Sequence, residues 1–196
     1  MLLKLYQTGQ PILRQPAKRV TKQQLASKHM QDVIDFMVDT LRDAPGVGLA
    51  APQVGESLQI IIIDDKAEYH EAVPPELLKE QRREPVPLKV LVNPTLEVVD
   101  PETALYFEGC LSVDGYTGAV ARYKSVKVTG WDRDGNDVAL TAQGWFARIL
   151  QHECDHLLGK LYIDVMLPDS FCSVKNFQLL YRKSLEADLR ATFGQR

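Results

Sequence analysis

"GWFARILQHECDHLLGK", residues 144–160, decides how the rest of the chain is organised. Apolar positions recur through Trp145, Phe146, Ile149, Leu150, Leu157 and Leu158 at helical spacing, and Gly159 supplies a C-terminal stop. On such a helix His152 and His156, four apart, lie one above the other and can offer two imidazoles to one metal ion. Glu153 is rotated about 100° from His152, which puts a carboxylate beside the ion without making it an obvious ligand. An apolar helix without a metal would bury His152, Glu153 and His156 at high cost. The stretch therefore predicts a central helix built around a metal site, which the remaining elements must enclose.

Outward from it, Met30, Ile34, Met37 and Leu41 predict an amphipathic helix in "KHMQDVIDFMVDTLRDA", ended by Pro45-Gly46. "LQIIIID" at 58–64 predicts a buried strand. "KVLVNP" and "LEVV" read as a pair of strands, followed by "LYFEGCLSV". "YKSVKVTGWDRDGNDVALTAQ" reads as a hairpin turning at Asp134-Gly135-Asn136. Residues 65–88, charged and carrying four prolines, read as a surface insertion with a short helix at 76–83. A last helix is expected over about 176–193. Helix, short strands, then helix predicts an α+β fold in one domain, 1–196, rather than alternating βαβ units.

Composition narrows the functional classes. With 196 residues, 45% hydrophobic and 25% charged, the chain reads as one soluble globular domain, large enough for a self-sufficient core. A net charge of −3 argues against nucleic-acid binding, so no DNA partner is expected. No window offers the roughly 18 apolar residues of a membrane span, and the N-terminus lacks the apolar run of a secretory signal. Cys110, Cys154 and Cys172 are too few and too scattered for a disulfide framework, which fits a reducing compartment. The expected location is the cytoplasm, or an organelle if a targeting peptide precedes the chain.

A catalytic site of this kind takes three protein ligands and one open position. Tyr162 stands where HExxHxxGxxH would place a third histidine, and phenols are uncommon ligands. Glu186 in a charged helix and Asp164 just past the central helix are weakly placed. Cys154, two residues after His152, points to the other side of its helix and reads as core; nothing argues for Cys172. Cys110, in "FEGCLSV", is a thiolate candidate on a strand, against the plain alternative of an inert buried thiol.

Three stretches taken together, "GVGLAAPQ" at 46–53, "EGCLS" at 108–112 and "QHECDH" at 151–156, resemble in order the three signature motifs of the peptide deformylase family. The likeness runs from "GQPILRQPAKRV" to "GKLYID" and weakens after about residue 166. Asp114-Gly115-Tyr116 after "CLSV", with the insertion at 65–88, is more similar to an organelle-type subclass than to the common bacterial pattern.

The resemblance implies antiparallel β-sheets around the HExxH-bearing helix, and a metal held by Cys110, His152 and His156. It implies one divalent ion per chain, Fe²⁺ natively, replaceable by Ni²⁺, Co²⁺ or Zn²⁺. The implied reaction removes the formyl group from N-formylmethionine on nascent polypeptides, with the ribosome as a transient partner. Glu153 would act as general base and then acid, with Gln53 and the Leu111 N–H as oxyanion donors. Gly46, Val47, Gly48 and Ile149 would bind substrate, Gly48 by strand addition, with Trp145 a further pocket candidate. Glu108 would support the ligands from behind, with Arg122 as its partner across the sheet. A zinc endopeptidase and a protein with a purely structural metal remain as rivals; the first would be indifferent to Cys110, the second to Glu153. The C-terminal charges Arg182, Lys183, Arg190 and Arg196, against Glu186 and Asp188, are too mixed to identify a docking surface.

Overall fold

The computed structural model describes residues 1–194; Arg196 and the end of the expected single domain lie outside the described residues. In chain order its elements are α1 (Lys22–Leu25), α2 (Lys28–Asp43), β1 (Gly48–Ala50), β2 (Ile60–Asp65), α3 (Pro75–Glu80) and β3 (Val86–Gly109). There follow β4 (Tyr116–Trp131), β5 (Asp137–Gln143), α4 (Gly144–Leu157), β6 (Cys172–Ser173), α5 (Val174–Leu180) and α6 (Glu186–Phe193). The strands form one antiparallel sheet in the order β1-β2-β3-β4-β5, with β6 paired to β4. The class is α+β, as the sequence predicts.

The sheet is covered on both faces, and β2 shows how. Ile60, Ile61, Ile62 and Ile63 are all fully buried. Side chains alternate along a strand, so Ile60 and Ile62 join Ile34, Met37 and Leu41 of α2, while Ile61 and Ile63 join Ala147, Ile149 and Leu150 of α4. An unbroken isoleucine run is what a strand between two helices requires. Ser27 caps α2 by accepting the Met30 N–H at 3.3 Å. At the end of α4, Gly159 has φ +74°, and a Cβ there would sit 2.7 Å from the Arg14 carbonyl carbon.

Three expectations are corrected. "KVLVNP" and "LEVV" do not pair with each other; both belong to β3, a strand of 24 residues. Between them Asn93 takes φ +51° and bonds Val20 through both ends of its amide, at 2.8 Å each. Asn93-Pro94 is thus an irregularity that transfers one strand from partner β2 to partner β4, not a turn. The C-terminal helix is two helices, α5 and α6, broken over 181–185 so that Phe177, Tyr181 and Phe193 all reach the ring of Phe107, at 5.0, 5.3 and 6.0 Å. The helix of the insertion is Pro75–Glu80 rather than 76–83; Leu77 and Gln81 are buried, and the insertion's last residues begin β3. Arg83 grips the buried Asp65 with two hydrogen bonds of 2.8 and 3.0 Å. The hairpin stands as expected, closed by Asp132 N–H donating to Asn136 C=O at 2.9 Å, with Gly135 in the turn.

Candidate metal centre

β3 delivers the sulfur. Its last paired residue is Gly109, opposite Thr117, and Cys110 follows where the chain leaves the sheet. α4 lies against this end and presents His152 and His156 from one face, their rings 4.9 Å apart and nearly perpendicular. One ligand atom from each of Cys110, His152 and His156 lies within 4.8 Å of the others. The Cys110 Sγ to His156 Nε2 distance is 3.3 Å. Metal–sulfur bonds of about 2.3 Å and metal–nitrogen bonds of about 2.1 Å at tetrahedral angles call for roughly 3.6 Å, so the residues fit one divalent ion. The thiol's other neighbours are donors, Ser112 N–H and Gln53 Nε2, both at 3.4 Å, which suits a thiolate.

Behind the ligands lies a buried ion network. Glu108 accepts from Arg122 Nε and Nη2 at 3.0 Å each and from Arg148 Nη1 at 2.6 Å, and its Oε2 meets His152 Nδ1 at 2.9 Å. Burial alone would raise the Glu108 carboxyl, but Arg122, His152 and Arg148 together hold it well below the ordinary carboxylate range. Occupying Nδ1 leaves His152 Nε2 for the ion and fixes the ring. Arg122 reaches on to Asp155, so two cations and two anions close on each other. The Glu108–Arg122 pair is the one that the family resemblance implies. Arg148 was missed, although it stands four residues before His152, on the same stripe of α4.

Glu153 is the opposite case. It is buried, its Oε2 has no hydrogen-bond partner, and among the described residues no cation forms an ion pair with it. Burial pushes its carboxyl up to about 7, against the opposing pull of His152. Its other oxygen presses on Gly48, where an added Cβ would lie 2.3 Å from Oε1. A side chain at 48 would therefore displace the protein's own acid.

A cleft of about 710 Å³ opens at this point, and its walls include Gly46, Val47, Gly48, Gln53, Leu111, Trp145, Ile149, His152 and Glu153. Gln53 is fixed at both ends of its amide: Oε1 accepts the Ala50 N–H at 2.8 Å, and Nε2 faces Ser112 Oγ at 3.2 Å. Gly46 leaves room for Leu111, whose side chain would meet a Cβ there at 3.0 Å. β1 is the edge strand, and Val47 C=O already accepts from Asp64 N–H at 3.0 Å. Alternation of the antiparallel ladder then turns the N–H and C=O of Gly48 outward, toward the cleft.

The remaining candidates lie elsewhere. Tyr162 is buried with its ring 6.3 Å from that of His152. Asp164 pairs with Arg14, and Glu186 accepts from Leu105 N–H at 3.1 Å, tying α6 to β3. The Cys154 thiol is pushed up to about 12 by burial, as befits an inert core sulfur. Among the described residues no disulfide forms, and no helix is long and apolar enough to cross a membrane.

Residues 2–170 match the model of the polypeptide deformylase family. The chain is 49% identical over 172 residues to peptide deformylase 1A, chloroplastic/mitochondrial, of Arabidopsis thaliana, covering 88% of this chain and 64% of that one. It is 39% identical to the mitochondrial peptide deformylase of Homo sapiens, covering 86% and 69%. The chain thus spans slightly under two-thirds of the plant relative's length. Among solved structures it resembles a Met-Ala-Ser-bound class I type b peptide deformylase from Acinetobacter baumannii, at 34% identity and TM-score 0.75, covering 85% of this chain and 99% of that one. A peptide deformylase from Synechococcus elongatus in complex with actinonin is similar at 37% identity and TM-score 0.71, covering 84% and 80%. With its three motifs gathered around one cleft, the chain belongs to the polypeptide deformylase family.

Proposed function

We propose that this protein removes the formyl group from N-formylmethionine at the start of new polypeptides, releasing formate. One observation carries the reading: a partnerless buried glutamate stands beside three converging metal ligands, in a cleft bounded by an open strand edge. The Acinetobacter relative is described with Met-Ala-Ser bound, a peptide that begins as the product would.

The chain's own groups divide the work. An extended substrate adds to the outer edge of β1 through the Gly48 N–H and C=O, leaving the first side chain to the pocket around Val47, Trp145 and Ile149. This places the formyl oxygen toward the Gln53 amide and the Leu111 N–H, the donors for the charge that develops there. Water adds to the formyl carbon while Glu153, buried and with one oxygen unpartnered, takes one of its protons. The C–N bond then breaks, Glu153 passes the proton to the departing amine, and formate leaves. A divalent ion held by Cys110, His152 and His156 would lower the pKa of coordinated water from 15.7 toward about 7.

Fe²⁺ is the proposed native ion, with Ni²⁺, Co²⁺ or Zn²⁺ able to replace it, since mixed imidazole and thiolate donors accept several first-row metals. A ferrous thiolate is open to oxidation, so anaerobic Fe²⁺ preparations should outlast aerated ones. Equal survival would overturn iron. Nascent chains as substrate bring the protein transiently to the ribosome, and a net charge of −3 supports no role with DNA. Unbridged cysteines fit a reducing compartment, the cytoplasm or an organelle, and the names of the plant and human relatives favour an organelle. The deciding assay is formate release from formyl-Met-Ala after metal analysis of anaerobically purified protein. Metal-loaded protein that releases no formate, or cuts internal peptide bonds instead, overturns the assignment.

A further inference from the structure

The N-terminal segment threads between the two loops that hold the proposed oxyanion donors. Tyr6 N–H donates to Gln53 C=O at 2.8 Å, and Thr8 N–H donates to Ser112 C=O at 2.7 Å. Between them the Gln7 side chain spans the second loop. Its Nε2 donates to Leu111 C=O at 2.8 Å, and its Oε1 accepts the Asp114 N–H at 3.3 Å. One carbonyl and one N–H at the two ends of the amide fix which way it faces. Gln7 also lines the cleft.

From this geometry we infer that Gln7 is a positioning residue for deformylation, acting through Leu111; the inference rests on the reading of Gln53 and Leu111 as oxyanion donors. The Leu111 N–H and C=O belong to adjoining peptide units hinged at the Leu111 Cα, so a displacement of the carbonyl's unit that moves this Cα carries the N–H with it. The loop's own ties are short: Val113 N–H donates to Cys110 C=O at 2.9 Å, and Ser112 N–H to Cys110 Sγ at 3.4 Å. The first holds the peptide unit that carries the Leu111 N–H and the second the unit that carries its carbonyl, both from within the loop. Gln7 grips that carbonyl from outside, on a segment that also holds Gln53 through Tyr6, so both donors are referenced to the same backbone. A donor misplaced by about 1 Å can cost as much as 10²-fold in rate.

Gln7→Leu removes both bonds with little change of volume. Gln7→Glu keeps the acceptor for Asp114 but cannot donate to Leu111. Gln7 is exposed enough that folding should tolerate either substitution. On formyl-Met-Ala, with metal content and Tm measured on the same preparations, each variant should lose about tenfold in kcat. KM should stay within about twofold, and metal content and Tm should match wild type. Unchanged kcat in Gln7→Leu overturns the inference. So does a loss confined to KM, which would make Gln7 a substrate contact, or a loss that tracks metal content or Tm, which would make it an ordinary loop anchor. Metal-loaded wild type assayed alongside keeps the two readings apart. If it is inactive, deformylation and the inference both fall; if it is active and Gln7 is indifferent, only the inference does.

Discussion

Glu108 and Glu153 are both buried and both adjoin metal ligands, yet the two sides of α4 treat them oppositely. On the sheet side Glu108 is saturated by Arg122, Arg148 and His152 and stays ionised. On the cleft side Glu153 has a partnerless oxygen and a carboxyl raised to about 7. A buried carboxylate with a full set of donors is a fixed structural charge, whereas one left without them exchanges protons near neutral pH. The difference separates holding a metal from moving a proton.

The largest effect should come from removing the proton carrier. Glu153→Gln, loaded with metal, is expected to lose about 10²–10⁴-fold in formate release while retaining its ion. Near-normal turnover would erase the contrast between the two acids. Gln53→Ala, still on the cleft side, should lose about 10²–10³-fold in kcat with metal content intact, as measured by the same assay. Glu108→Gln probes the other side: metal affinity should fall about 10–100-fold in a chelator competition, because His152 loses its orienting partner. If that variant instead keeps its metal and loses only rate, Glu108 belongs with the catalytic group.

The smallest effect is one of pH. In metal-free protein the folded state keeps Glu153 protonated up to about 7, whereas the unfolded chain ionises it near 4.3. Between those values the folded state binds more protons, so this residue's contribution to stability falls as pH rises. Across the window the loss is on the order of 3 kcal/mol. Metal-free Glu153→Gln should therefore melt higher than metal-free wild type at pH 8, with the gap closing toward pH 4. Glu108 has the opposite sign: its depressed carboxyl stabilises the fold above the unfolded value, and that contribution is lost only in strong acid. Parallel melting profiles for wild type and Glu153→Gln would mean that Glu153 is not desolvated.

What was legible depended on how local the signal was. The stripe of α4 is written in four-residue spacing, so His152, His156 and the exclusion of Cys154 could be read directly. Arg148 lies on that stripe and could have been found by extending it one turn upstream. The partner of a strand is not written in its own residues, so "KVLVNP" and "LEVV" were misread as a pair when they are successive parts of β3. The break between α5 and α6 likewise has no proline or glycine to announce it. It exists because three aromatic rings converge on Phe107.

The sequence by itself determined the α+β class, most of the helices and strands, and the pairing of His152 with His156 on one helix face, because helical and strand periods and four-residue spacing are properties of neighbours along the chain. Only the tertiary structure decided which acid is neutralised and which is left free. Residues 108, 122 and 148 meet only when β3, β4 and α4 pack, and a carboxyl's proton affinity is set by the charges and solvent around it in space.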